Sequence, residues 1–388
     1  MMAANIAVPE EDIIRWRRHI HAHPELSFKE VHTSQYVADQ LGTFGHIEVT
    51  RPTATSVVGL LRGTRPGKMV ALRADMDALP LQEETGVAYA SQNDGVAHAC
   101  GHDAHTAMLL GAAKVLAGLT DQIAGNVKFI FQHAEEQPPG GAQELVQAGV
   151  VDDVDAIFGL HVMNQATGTI RIPRGTASTS ADGFYLNIQG RGSHGSMPQD
   201  GIDPILVGSQ LVLGLNTIPS RSVDPSHMVV VSVGTFQSGD APNVIPDMAR
   251  LGVSIRTKTE ADRQLVRRRA EEIIKGTCAS YGAGYNIQWI QGYAAVQNDD
   301  TLVNLALKAA GEAIGKDQVS PAPASSASED FSAYTAKVPG CFMFLGGGTA
   351  ADGLPYKNHN PRFNIVERAL ANGTCVEVQI VLDMLGQK

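Results

Sequence analysis

The residues able to hold a metal ion are scattered along this chain, and any fold it adopts must bring them to one point. Cys100 and His102 stand two apart in HACGHDAH, His98 to His105. The tetrapeptide HAEE, His133 to Glu136, follows the apolar run VKFIFQ; His161 closes another apolar run in GLHV; His359 sits in NHNPRF near the C-terminus. With one glutamate they supply a thiolate, three imidazoles and a carboxylate. That donor set is borderline-soft, suited to zinc, manganese, cobalt or nickel and poor for calcium or magnesium. A deaminase-type zinc site needs PCxxC after HxE, and this chain has no PCxxC. The remaining cysteines, Cys278, Cys341 and Cys375, are widely spaced with no CxxC pair and read as small buried apolar residues. Such cysteine usage fits a reducing cytoplasm, the expected compartment.

A chain of 388 residues is too long for one ordinary core, so two domains are expected. Its 43% hydrophobic and 18% charged residues belong to a globular enzyme and not to a disordered chain. A formal charge of −10 without a dense basic block argues against a nucleic-acid partner. The first residues lack a basic flank followed by an apolar core, so no signal peptide is expected, and no apolar run nears the roughly 20 residues that span a bilayer.

The N-terminal part alternates helix and strand signals. PEEDIIRWRRHIHAHPE opens with Pro9 and two acids, a helix start. SVVGLLRG, KMVALRADMD, NVKFIFQHAEE and DAIFGLHV carry β-prone runs ending in polar residues, and HTAMLLGAAKVLAGL reads as a buried helix. This order predicts a mixed-sheet α/β domain whose site lies at the carboxyl edge of its strands. From about Ala181 the character changes to strand–helix–strand–strand–helix–strand, closed by YNIQWIQGY, which fits an inserted ferredoxin-like α+β domain. The expected boundaries are 1–180 and 292–388 for the metal-binding domain and 181–291 for the insertion. The patch PAPASSAS, Pro321 to Ser328, reads as a loop.

Adjacent Glu135 and Glu136 would face opposite ways in a strand, but a turn at its end brings both into one cleft. Beside a dication the ligating carboxylate stays ionised while the other shares a proton with water, so Glu136 is assigned as ligand and Glu135 as general base. Asp75 and Asp77 in RADMDALP are expected to orient imidazoles rather than bind metal. His19, His21 and His23 read as structural. In the insertion, His194 in GRGSHGSMP, Asn243 in APNVIP and Arg256 in VSIRT offer donors for a substrate carboxylate and a developing oxyanion. Gly346 to Gly348 allow close backbone approach, and phosphate cradling is disfavoured because no GxxxxGK[ST] follows.

RRHIHAHPELSFKE, RADMDALP, ACGHDAHTAMLLGAA, QHAEE, GLHV, GRGSHGSMP, NVIP, SEDFSAY, VPGCFMFLG and NHNPRF occur in that order over nearly the whole chain. In this it resembles the binuclear-metal amidohydrolases of the aminoacylase/carboxypeptidase clan, in the hippurate hydrolase and indole-acetyl-amino-acid hydrolase branch. The resemblance implies two divalent metal ions per subunit, with Cys100, His102, Glu136, His161 and His359 as ligands and Glu135 as general base. It implies hydrolysis of N-acyl amino acids, a lid that also forms a homodimer, and substrate contacts from His194, Asn243 and Arg256, with His194 reaching the neighbouring subunit's site in many relatives. A dipeptidase or carboxypeptidase on the same scaffold is the alternative enzyme, and a non-catalytic metal-binding protein the alternative class. Two departures stand out: GYAAVQND replaces the usual GYPP-like segment after the lid, so the hinge is expected to be less stiff, and Asn358 and Asn360 flank His359.

Overall fold

The computed structural model describes residues 6–386. The chain divides into two compact units: one takes in the chain up to Ala177, Val296–Ala324 and the part from Asp330 onward, the other Ser178–Ala295 and Ser325–Glu329. Residues 325–329, expected with the metal-binding domain, therefore group with the inserted unit.

In the first unit the apolar runs become an eight-stranded mixed sheet. Its order is Ile47–Thr50, Val57–Arg62, Ala124–Gln132, Arg65–Asp75, Ala156–Met163, Gly340–Gly346, Ile170–Pro173, Val319–Ala322. The four central strands run parallel, and the antiparallel pairings lie to either side of them. The central strands are buried on both faces, as helices cover them. Helix His102–Ala117 is buried nearly all round, its Ala104, Ala107, Met108, Leu109 and Leu110 in the same core as Leu72, Phe129 and Phe158. Helix Ala369–Leu385 packs there too, with Leu370, Val376, Val378, Ile380 and Val381 in that core. Pro321 and Ala322, expected in a loop, belong to the edge strand Val319–Ala322; an edge tolerates the missing N–H of proline.

The second unit is a four-stranded antiparallel sheet, order Gly284–Ile290, Asp182–Gln189, Met248–Thr257, Val229–Gln237. Helices Pro204–Asn216 and Glu260–Tyr281 complete a strand–helix–strand–strand–helix–strand order. Both helices are capped by side chains the sequence supplies: Asp203 accepts from the Ile205 and Leu206 N–H groups, and Thr259 from Asp262 N–H. Val207, Leu211, Val266, Ala270 and Ile274 from the helices meet Leu186, Ile188, Leu251 and Val253 from the sheet in a core of its own.

Candidate metal centre

Asp75 lies opposite Gln132 across the parallel pair Arg65–Asp75 and Ala124–Gln132, so the segments that follow both strands leave the same edge of the sheet. One carries Asp77, the other Glu135 and Glu136. Strand Ala156–Met163, parallel to the first, delivers His161 near its end at that edge. Cys100 precedes Gly101, whose φ of 99° only glycine adopts cheaply, and His102 opens helix His102–Ala117. Burial alone would lower the His102 imidazole, but the Asp75 and Cys100 charges and the hydrogen bond to Asp77 hold it well above its usual range. His359 has φ 68°, a conformation costly for a residue with a side chain. It is pinned there by its own N–H donating to Ala99 O at 2.7 Å, while Asn358 Nδ2 donates to Cys100 O at 2.8 Å and Val162 O at 3.1 Å.

The expected ligands converge. Ligand atoms of Cys100, His102 and His161, and again of Cys100, Glu136 and His359, lie within 4.8 Å of one another; His102, Glu135 and Glu136 form a third such group. Cys100 Sγ is 3.4 Å from His161 Nε2, and His359 Nε2 is 3.2 Å from Glu136 Oε1. Two ring tautomers follow from their partners. His102 Nδ1 faces Asp77 O at 2.9 Å and Asp77 Oδ1 at 3.1 Å, so Nδ1–H donates and Nε2 holds the lone pair. His161 Nδ1 faces Val162 O at 2.8 Å, which fixes the same tautomer. His102 Nε2 is buried without a well-formed hydrogen bond among the described residues, and 3.9 Å from it lies Glu136 Oε1, whose near neighbour is the His359 ring. Lone pairs aimed at one another across a buried space repel unless a cation sits among them. The donor set thus fits divalent metal, and the ring N–H groups are anchored as metal-bound histidines require.

The electrostatics agree. Burial pushes the Cys100 thiol up, and the Glu136 charge adds to it. Hydrogen bonds to Cys100 and Glu136 push His359 up to about 10. Burial holds His161 well below the usual imidazole range, keeping it a neutral donor. The cluster is a field that attracts positive charge, whether protons or metal.

Asp77 hydrogen-bonds His102 Nδ1 and also ties the glutamate loop: Glu136 N–H donates to Asp77 Oδ2 at 3.0 Å, and Ser27 Oγ donates to the same oxygen at 2.6 Å. Asp75 does something different. Its Oδ1 is 2.6 Å from Nδ1 of His105, whose Nε2 accepts from Val162 N–H at 2.8 Å, and its Oδ2 accepts from Arg73 at 2.7 Å. Burial alone would raise the Asp75 carboxyl, but His102, Arg73 and His105 hold it well below the carboxylate range. Arg73 also reaches Gln132 Oε1 and Asp330 Oδ1, both at 2.8 Å. His105, Arg73 and Asp330 were missed by sequence reasoning, although His105 lies one turn after His102 and Arg73 lies on Asp75's side of its strand. Of the N-terminal histidines, His21 is buried against Asp103 at 2.8 Å and Glu83 at 3.2 Å, whereas His19 and His23 are exposed and lie outside the metal cluster. Cys278 and Cys341 are buried and Cys375 is half-buried; all four cysteines are free.

The three residues singled out in the inserted unit do not gather there. His194 pairs with Val244, next to Asn243, in the short ladder Ser193–His194 with Val244–Ile245. Its Nδ1 accepts from Ser196 N–H at 3.1 Å, which leaves Nε2–H as a donor. Arg256 lies near the far end of strand Met248–Thr257, roughly 26 Å along it from Met248, and donates to Ser254 Oγ and Ile255 O.

The chain is similar to several known proteins. The model of Peptidase family M20/M25/M40 matches residues 71–383. An N-acyl-L-amino acid amidohydrolase of Geobacillus stearothermophilus is 50% identical over 290 residues, 74% of this chain and 78% of that one. An N-acetylcysteine deacetylase of Bacillus subtilis is 38% identical over 361 residues, 92% of this chain and 93% of that one. The crystal structure of a dinuclear metal binding peptidase of the M20 family from Bacillus subtilis superposes with a TM-score of 0.82 at 35% identity, covering 96% of this chain and 98% of that one.

Proposed function

The chain belongs to peptidase family M20/M25/M40, and from that premise we propose that it hydrolyses N-acyl amino acids to a carboxylic acid and a free amino acid. The observation that carries this reading is the convergence of Cys100, His102, Glu136, His161 and His359 with Glu135 beside them. Cys100, His102, Glu136, His161 and His359 would hold two divalent ions, from among zinc, manganese, cobalt and nickel, which would supply Lewis acidity to the scissile carbonyl and to water. Glu135 takes the proton of the attacking water and returns it to the leaving nitrogen, so the amine departs neutral. Glu136 stays ionised as a ligand, its backbone held by Asp77. Asp77 keeps His102 in the ligating tautomer, and the Asp75–His105 pair fixes the strand that bears His161.

His194, Asn243 and Arg256 serve the substrate carboxylate and the oxyanion. Their separation within one inserted unit favours a site completed by a second copy of the chain, with His194 acting across a homodimer. Of the fourteen large apolar side chains exposed among the described residues, twelve belong to that unit, including Leu213 on helix Pro204–Asn216 and Val230 and Phe236 on the edge strand Val229–Gln237. An unpaired apolar edge is suited to pairing with its own copy. No helix among the described residues is long and apolar enough to cross a membrane, and the free cysteines support a reducing cytoplasm.

The test is release of free amino acid from acetyl-, benzoyl-, indole-acetyl- and long-chain-acyl amino acids and from free dipeptides, before and after metal removal and reloading. Metal-dependent cleavage of the acylated set is expected. Cleavage of dipeptides alone moves the assignment to a peptidase, and silence with every metal despite stoichiometric binding overturns it.

A further inference from the structure

The two glutamates of the site do not stand on a regular element. They follow strand Ala124–Gln132 in a turn whose pivot, Ala134, has φ 51°. A left-handed alanine costs on the order of 1 kcal/mol or more and persists only where its surroundings hold it. Its peptide is held on both sides. Ala134 O accepts from Gly141 N–H at 3.1 Å. Ala134 N–H donates at 2.8 Å to Oε1 of Glu30, a residue 104 positions earlier in the chain. Glu30 is fully buried. Its Oε1 also accepts from Phe28 N–H at 3.1 Å, so one oxygen joins two loops. Its Oε2 is buried with no hydrogen-bond partner among the described residues.

No ligand or reacting group accounts for a carboxyl buried here, whereas the Ala134 N–H does. Asp77 holds the Glu136 N–H of the same turn at 3.0 Å. Two carboxyls thus fasten the backbone immediately before and immediately after Glu135. We infer that Glu30 is a positioning residue for Glu135: by accepting from Ala134 N–H it fixes the turn that sets the general base at its working distance.

This inference rests on the assignment of Glu135 as base, and the experiment separates the two. Glu30→Asp withdraws the carboxyl by one methylene; Glu30→Gln keeps an acceptor oxygen where Oε1 lies; Glu135→Gln serves as the reference. The expected result for Glu30→Asp is a fall in kcat on the order of 100-fold with KM and metal stoichiometry unchanged, the signature of a misplaced group. Glu30→Gln should recover most of that loss. Amide hydrogen exchange gives a readout independent of turnover: the Ala134 N–H should lose protection in Glu30→Asp and keep it in Glu30→Gln. Normal kcat in Glu30→Asp, loss of metal in parallel with kcat, or equal damage from both substitutions overturns the inference. Normal turnover in Glu135→Gln overturns the base assignment itself, whatever the Glu30 variants do.

Discussion

The chemistry proposed at Glu135 and the trapped carboxyl of Glu30 differ in one respect that pH can read. Burial pushes Glu30 up to about 7 from an ordinary 4.5, with the nearby Asp77 charge adding to the effect. Between those values the folded chain keeps a proton that the unfolded chain has lost, so the Glu30 contribution to stability is full below 4.5 and is lost as pH rises through 7. Glu30→Gln removes this titration. Its stability relative to the parent should therefore improve between about pH 5 and about pH 8, by up to about 3 kcal/mol, in urea unfolding at the two pH values. For Glu135→Gln the expected outcome is kcat lowered by about 10²–10⁴-fold with metal content unchanged, measured by steady-state kinetics beside elemental analysis. The ligands and Glu135 were legible because thiol, imidazole and paired carboxylates are rare side chains at apolar strand ends. Glu30 was not: SFKE has no periodicity that marks its last residue, and its partner lies 104 residues away.

At the scale of elements, strands were easier to read than the turns between them. Runs such as VALRAD and FIFQ are apolar enough to belong only in a doubly covered sheet, and the structure buries them there. The turn bearing the glutamates depends instead on contacts that no local pattern encodes. Gly141 opens a short helix so close to it that a Cβ would lie 1.9 Å from His133 O. That atom is backbone and cannot swing aside. Gly141→Ala should shift the segment 133–136, lowering stability by more than about 2 kcal/mol and kcat with it, as a thermal melt and an assay on the same sample would show. The donors of the inserted unit show how little of their spacing in the fold a sequence pattern records. His194, Asn243 and Arg256 look like a set in the sequence, yet a ten-residue strand keeps Arg256 from the other two.

For the whole molecule, the apolar edge of the inserted unit is the feature to challenge. Leu213 is 65% exposed on its helix. If the proposed homodimer forms through this edge, Leu213→Asp together with Val230→Lys should convert it to a monomer in light scattering without lowering the melting temperature of the monomer, because neither side chain belongs to that unit's core. Metal acts at the same scale. Chelation should lower the melting temperature, and reloading should restore it, by an amount corresponding to about 4 kcal/mol when free metal is a thousandfold above its Kd. Cys100 and His359 frame nearly the whole second half of the catalytic unit and the insertion between them. An ion bound by both is a clasp on a loop of about 260 residues, the kind of closure whose entropy is greatest in the unfolded chain. It also sets an order of events during synthesis: the clasp has no second half until His359 has left the ribosome, so full metal loading is a step that only a finished chain can take.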